Sequence, residues 1–319
     1  MGDLNHLIGV TISSKDISLR KKVQKIISMG LGWGQVYIEP GTTPEQLRPV
    51  RESGLEVAVH AAHEDHGFMP TRGDDDLNRQ LFDEAADAAE YLRSRMVIIH
   101  PGHITPEEKN SSYEDQRRID GNFDRLTEYM VKRVQKTTKV LVENMQRWNN
   151  GMETVFHRPI DPFYSDMRES GCSFCLDLAN AAVTFNQFPE FVYYPPSEGF
   201  VLPCSDSEIQ ILFSKQLDTL AQERLHEMRT SQRMQVINFL RLSPQAMHVR
   251  SVDYWNLLRP KARNPVPMGD LNAVQLQVVI PYCIRKNVPL LLESLDPQQQ
   301  RKDVAFINLQ YQSMTSRGS

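Results

Sequence analysis

Short apolar runs recur along the chain: LIGVTIS (7–13), QVYIE (35–39), EVAVHA (56–61), MVIIHP (96–101), KVLVEN (139–144), FCLDLA (174–179), AMHVRSV (246–252) and PLLLES (289–294). They are rich in Val, Ile and Leu with little polar alternation, the pattern of parallel strands covered on both faces. Stretches with helical periodicity lie between them. Residues 15–29 put Leu19, Val23, Ile26 and Ile27 on one face, as an amphipathic helix requires. Ser13 and Ser14 stand where they can cap its start, and Gly30 where it can end it. Residues 44–53 end at Gly54, 76–93 carry Leu81, Ala85, Ala88, Ala89 and Leu92 on one side, 113–137 are amphipathic, 161–170 end at Gly171, and 297–310 close the chain. Alternation of strand and helix through eight units predicts an α/β fold, and that number favours a closed (β/α)8 TIM barrel over a doubly wound sheet.

One interval is too long for a simple connection. Between the sixth and seventh strands, from about 183 to 244, the chain runs through FNQFPEFVYYPPSEGFVLP and then a charged helical stretch over 205–241. This predicts a long helical insertion over the barrel top, a lid or an oligomer contact, with a surface elaboration as the alternative. Residues 1–319 otherwise form one domain, somewhat longer than the roughly 250 residues usual for such a barrel.

The composition, 40% hydrophobic and 24% charged, is that of an ordinary globular protein. A net charge of −4 gives no overall basic footprint and argues against duplex binding, although it leaves room for a local basic patch. Cys172 and Cys175 form a C-x-x-C, but the second pair that a zinc site needs is missing, and Cys175 lies inside an apolar strand. Plain buried thiols and a reducing, cytoplasmic setting are expected. No apolar run approaches the roughly 18 residues of a membrane span, and the amino terminus lacks the pattern of a signal peptide.

The chemistry lies where polar residues interrupt the apolar runs. His60 ends VAVH, His100 ends MVIIH, Glu143 ends VLVE, Asp177 ends CLD, His248 lies in AMHV and Glu293 ends LLLE. Each falls near the C-terminal end of a predicted strand, the end at which barrel active sites are built. Buried carboxylates repel one another and are costly unless paired or metal-bound. Three carboxylates and three imidazoles converging on one barrel mouth therefore call for a cation. Mixed nitrogen and oxygen ligands suit Zn, Mn, Co or Fe, with Mg also open, as one or two divalent ions.

The flanking residues carry a resemblance. VHAAH, IIHPGH, VLVENM, CLDLANA, MHVRSVD and LLLESL are similar to the strand-end motifs of the xylose isomerase-like barrel superfamily, which includes sugar isomerases and epimerases, inosose dehydratases and endonuclease IV. The resemblance runs from about residue 7 to 295, outside the insertion. It implies that Glu143, Asp177, His248 and Glu293 are the ligands of one metal, as in ketose epimerases. Glu143 and Glu293 would also be the catalytic pair, shuttling a proton through an enediolate of a carbohydrate or polyol-derived substrate. His60 and His100 match the positions that, with the shared glutamate, hold a second metal in endonuclease IV. The resemblance thus leaves open a phosphodiesterase on abasic DNA, and also a dehydratase or a non-catalytic barrel. The chain departs from the endonuclease pattern where Asn180 replaces the histidine of D-x-x-H, and where KARNPVP (261–267) replaces Asp-x-His. Both departures remove ligands of a third metal. PMGDLN (267–272) resembles the glycine turn before the last helix of the superfamily.

Arg250, two residues after His248, falls on the same strand face and can hold a substrate oxygen or phosphate. His60 and Asn180 are further substrate-binding candidates. His63, His66 and His103 can orient ligands, contact substrate or simply be solvated. Glu39, Asn144, Gln146, Trp148, Phe185, Phe188, Tyr193 and Tyr194 are weaker candidates for lining a sugar-sized pocket. A homo-oligomer is compatible with the insertion. No phosphate loop, nucleophile elbow or dinucleotide fingerprint is present.

Overall fold

In the computed structural model, the described residues are 4–73, 75–104, 113–145, 148–149, 152–154, 171–187, 230, 232–250, 268 and 270–316. Eight parallel strands close into a barrel: β1 (Ile8–Ser13), β2 (Trp33–Tyr37), β3 (Glu56–His60), β4 (Met96–Ile99), β5 (Lys139–Glu143), β6 (Ser173–Asp177), β7 (Ala246–Val249) and β8 (Leu290–Leu292). Each strand pairs with its neighbours in chain order, and β8 closes on β1 with Ile8 opposite Leu290. Among the described residues the helices include α1 (Leu19–Ser28), α2 (Pro44–Arg51), α3 (Asp76–Leu92), α4 (Tyr113–Arg133), α5 (Leu178–Gln187), α6 (Asp270–Lys286) and α7 (Pro297–Ser316), and residues 232–240 are also helical. The loops after β4 and β5 add a small antiparallel sheet from His103–Ile104, Met152–Thr154 and Trp148–Asn149. No described helix is long and apolar enough to cross a membrane.

Two hydrophobic layers hold the barrel. The larger lies between strands and helices and includes Ile8, Val10, Ile12, Val36, Val57, Val59, Val97, Ile99, Val140, Val142, Leu176, Met247 and Leu292. The smaller fills the barrel interior with Trp33, Ala58, Met96, Ile98, Leu141, Cys175, Ala246 and Leu291. The two sets alternate along the strands that contribute to both, because successive strand side chains point to opposite faces. Gly9 makes room for this interior layer: a Cβ there would stand 2.8 Å from both Leu291 Cδ2 and Trp33 Cβ.

The helix ends differ in detail from expectation. Ser18, not Ser13 or Ser14, is the N-cap of α1, since the chain makes a further turn in which Ser18 N donates to Asp16 Oδ1 at 2.7 Å. Ser13 stays in β1 and donates to Glu39, while Ser14 Oγ accepts from Glu39 N at 3.0 Å. Gly30, Gly54 and Gly171 do adopt positive φ of 69°, 76° and 72°, the backbone that lets a helix end turn back. The run 174–179 stops being strand at Asp177, and α5 begins at Leu178. Its cause is local: Asp177 Oδ1 accepts from Asn180 N at 2.6 Å, a carboxylate capping the first turn of the helix. The stretch 161–170, the third-metal segment near 262–264 and most of the 183–244 insertion lie outside the described residues.

Candidate metal centre

Advancing two residues along the inward face of the strands turns the apolar interior layer into the site. Ala58 leads to His60, Ile98 to His100, Leu141 to Glu143, Cys175 to Asp177, Ala246 to His248 and Leu291 to Glu293. Period-two geometry thus lifts six polar side chains together to the C-terminal mouth. His60, Glu143, Asp177 and His248 are buried, as is His100 at 9% exposure.

Glu143, Asp177, His248 and Glu293 can each offer a ligand atom, all within 4.8 Å of one another. His248 Nδ1 lies 2.8 Å from Glu143 Oε2 and 3.3 Å from Glu293 Oε1. His248 Nε2–H donates to Gln35 Oε1 at 2.7 Å, while Gln35 Nε2 donates to Thr11 Oγ1 at 3.1 Å and Thr11 Oγ1 donates to Leu292 O at 2.8 Å. This chain fixes the Gln35 amide and so leaves Nδ1 as the open nitrogen of His248.

A second group surrounds the same glutamate. His60 Nε2 and His100 Nε2 each lie 3.6 Å from Glu143 Oε2. His60 Nδ1–H donates to Ala61 O at 2.9 Å, and His100 Nδ1–H donates to Glu64 Oε1 and Oε2, each at 3.2 Å. Each histidine is therefore anchored through one nitrogen and presents the other to Glu143, the way proteins orient metal-binding imidazoles. His60, His63 and His100 also form a group whose ligand atoms lie within 4.8 Å of one another.

Buried side-chain polar atoms are normally hydrogen-bonded. His60 Nε2, Glu143 Oε2 and His248 Nδ1 have no hydrogen-bond partner among the described residues, although they crowd one another, and Asp177 Oδ2 and Glu293 Oε2 are met by the Arg250 guanidinium as ion pairs without a hydrogen bond. With their other nitrogens already donating, His60 Nε2 and His248 Nδ1 turn lone pairs toward a carboxylate oxygen. That arrangement is repulsive unless a cation or a proton stands between, so these donors fit a divalent metal. Zn²⁺, Mn²⁺, Co²⁺ and Fe²⁺ all suit such mixed ligands.

The charges respond to this crowding. Burial alone would lower His100 and His248. Glu64 and Glu143 around His100, and Cys175, Glu143 and Glu293 around His248, hold both imidazoles well above their ordinary pKa. Burial would raise Glu143, but His248 and His100 hold it well below the usual carboxylate range. Asp177 goes the other way: burial with Glu293 and Glu143 outweighs Arg250 and pushes it up. Burial drives His60 down. Protons on His100 and His248 thus supply the positive charge that a metal would otherwise bring.

Asn180 and Arg250 frame the rim. Asn180 Nδ2 donates to Glu143 Oε1 at 3.2 Å and to Asn144 O at 3.0 Å, and its Oδ1 accepts from Arg250. Arg250, with its side chain 44% exposed, also reaches Asp177 Oδ2 at 3.2 Å and Glu293 Oε2 at 3.5 Å. Asn144, a weaker pocket candidate, is instead engaged by backbone, accepting from Asp177 N at 2.7 Å and donating to Asp177 O at 3.0 Å. Glu39 is tied down by Ser13 and Ser14 at the ends of β1 and β2. His66 meets the Tyr37 hydroxyl at 3.0 Å. The side chains of His103, Gln146, Trp148, Phe185, Phe188, Tyr193 and Tyr194 lie outside the described residues. Sequence reasoning misses Gln35 and Glu64. The available signal for Gln35 is a polar residue at the head of the apolar QVYIE run, whereas Glu64 sits in a polar loop with no periodicity to single it out.

No family model matches the sequence, and no curated protein matches it. Solved structures do. A D-tagatose 3-epimerase-like protein superposes with a TM-score of 0.61 at 14% identity over 97% of this chain and 99% of its own. A Thermus thermophilus protein soaked with ZnCl2 gives 0.60 at 15% identity over 95% and 97%. Endonuclease IV from Thermus thermophilus gives 0.59 at 14% over 96% and 99%. At such identities the likeness is one of architecture: the chain shares the closed (β/α)8 TIM-barrel fold of these proteins.

Proposed function

We propose that this barrel is a divalent-metal-dependent isomerase or epimerase acting on a small carbohydrate, sugar phosphate or polyol-derived ketone. The observation that carries the reading is the pair of carboxylates flanking His248 Nδ1, Glu143 at 2.8 Å and Glu293 at 3.3 Å, within one group of metal-capable donors. Glu143, Asp177, His248 and Glu293 would hold the cation. When bound it supplies Lewis acidity to a substrate carbonyl oxygen. Glu143 and Glu293 are the acid–base pair: the one that is ionised takes the proton from the carbon next to the carbonyl, and the other, carrying a proton, delivers its own to complete the exchange. Glu293 is the more open of the two, 20% exposed against 1% for Glu143. Arg250 presents its guanidinium at the rim, where a substrate hydroxyl or phosphate oxygen would meet it. The fold shared with a D-tagatose 3-epimerase-like protein supports the substrate class.

The test is exchange of carbon-bound hydrogen with deuterated water across a panel of ketoses and sugar phosphates, with the metal-loaded protein. Exchange that is lost in Glu293→Gln supports the reading. Absence of exchange with every member of the panel removes it.

A second reading is favoured by one observation. His60, His100 and Glu143 form a second donor set, as a dinuclear phosphodiesterase of the endonuclease IV type requires. Asn180 opposes it: its amide holds Glu143 and Arg250 where the endonuclease pattern has a histidine ligand. Metal-dependent incision of an abasic-site duplex, abolished by Glu143→Gln, would decide for that reading.

A further inference from the structure

We infer that His63 is a third imidazole ligand of the second cation site, so that His60, His63, His100 and Glu143 enclose that cation with four protein donors. The inference rests on the barrel mouth being a metal centre, and it assigns the second position a different job from the first.

His63 stands two residues beyond Ala61, where the chain leaves β3 in an extended conformation, φ −96° and ψ 176°. Three contacts hold its ring over the site. It stacks on His100 with centroids 4.4 Å apart and planes at 12°, meets His60 edge-on at 4.7 Å, and lies 4.3 Å from the Tyr37 ring. Its backbone N–H donates to the Tyr37 hydroxyl at 3.1 Å, which fixes the loop against β2. Glu64, the next residue, accepts from His100 Nδ1. One short loop therefore brings an imidazole to the group and orients its neighbour. The ligand-capable atoms of His60, His63 and His100 lie within 4.8 Å of one another, and buried His60 Nε2 has no hydrogen-bond partner among the described residues.

Four protein donors, three of them imidazole and one a carboxylate, would fill a tetrahedral zinc shell and leave no open position for water or substrate. Glu143, Asp177, His248 and Glu293 form a group richer in oxygen, with the half-exposed Arg250 beside it. Substrate chemistry then belongs to the Glu293 side. The His63 side holds Glu143 and the β3 and β4 loops in place.

The experiment titrates the metal-free full-length protein with Co²⁺ and records bound equivalents and visible absorption for wild type, His63→Ala and His63→Gln. The expected result is two equivalents in the wild type, one with the intense visible bands of four-coordinate cobalt. His63→Ala should bind that equivalent at least 100-fold more weakly, and added imidazole should restore both the binding and the bands. Unchanged affinity and spectrum in both variants would overturn the assignment of His63 while leaving the metal centre intact. A wild type that binds no Co²⁺, Zn²⁺ or Mn²⁺ would instead overturn the metal centre itself. Circular dichroism of the metal-free variants separates loss of a ligand from loss of the fold, and a folded His63→Gln that loses the bands carries the assignment if His63→Ala unfolds.

Discussion

His248 and Gln35, 213 residues apart in the chain, meet inside the barrel through a 2.7 Å hydrogen bond from His248 Nε2–H to Gln35 Oε1. The bond sets which nitrogen of His248 faces the carboxylates. Gln35→Leu keeps the side-chain volume and removes the acceptor. Loss of such an orienting partner typically weakens metal binding by about 10–100-fold. A competition titration against a chromophoric chelator should show that loss with the barrel still folded, and equal affinity in the variant would argue that Nδ1 is not a ligand.

Metal uptake should release protons. His100 and His248 are held well above their ordinary pKa by the surrounding carboxylates, so near neutral pH both imidazoles carry protons that a cation must displace. Cations bind the deprotonated forms, which predicts release of on the order of two protons and affinity that falls as pH is lowered. Calorimetry in buffers of different ionisation enthalpy counts the protons. A heat independent of buffer would contradict the assigned ligands. Because a ligand bound only by the folded state stabilises it by about 2.7 kcal/mol at one hundred times its Kd, chelation should also lower the melting temperature, read by differential scanning calorimetry.

The two glutamates should separate when replaced one at a time. Glu143 touches both donor groups, so Glu143→Gln should reduce the bound cations as well as abolish turnover. The Glu293 carboxylate meets His248 and Arg250. Glu293→Gln should retain the cation of the His60 side while turnover falls by about 10²-fold or more, the usual scale for a lost general base. Elemental analysis beside steady-state rates makes the comparison, and identical metal loss in both variants would count against a shared role for Glu143.

Gly9 tests the packing beneath the site. Its replacement by alanine puts a methyl group 2.8 Å from Leu291 Cδ2 and Trp33 Cβ, and overpacking of this kind costs about 1–3 kcal/mol. Urea unfolding should show a lower midpoint for Gly9→Ala with unchanged slope. A midpoint equal to wild type would mean that the interior layer is loose enough to absorb the methyl group.

All eight barrel strands are legible as apolar runs, because parallel strands buried on both faces leave an uninterrupted signal. The polar residues His60, His100, Glu143, Asp177, His248 and Glu293 stand out against those runs for the same reason, and the barrel brings them to one mouth. What cannot be read depends on side-chain direction across distant segments. Gln35 serves His248 from β2, Asn144 is taken up by the Asp177 backbone, and Asn180 holds Glu143 and Arg250. The start of α1 is hard to place from sequence because Ser13, Ser14 and Ser18 are all chemically fit to cap. The turn made by Asp16 decides among them.

One oxygen atom, Glu143 Oε2, faces His60, His100 and His248 at once, while Asn180 engages the other oxygen. Whatever occupies one half of the mouth therefore spends part of the same negative charge that the other half needs. Occupancy of the two halves is linked through a single carboxylate, and such linkage is reciprocal. The first ion to arrive should weaken the grip on the second, giving stepwise rather than simultaneous loading.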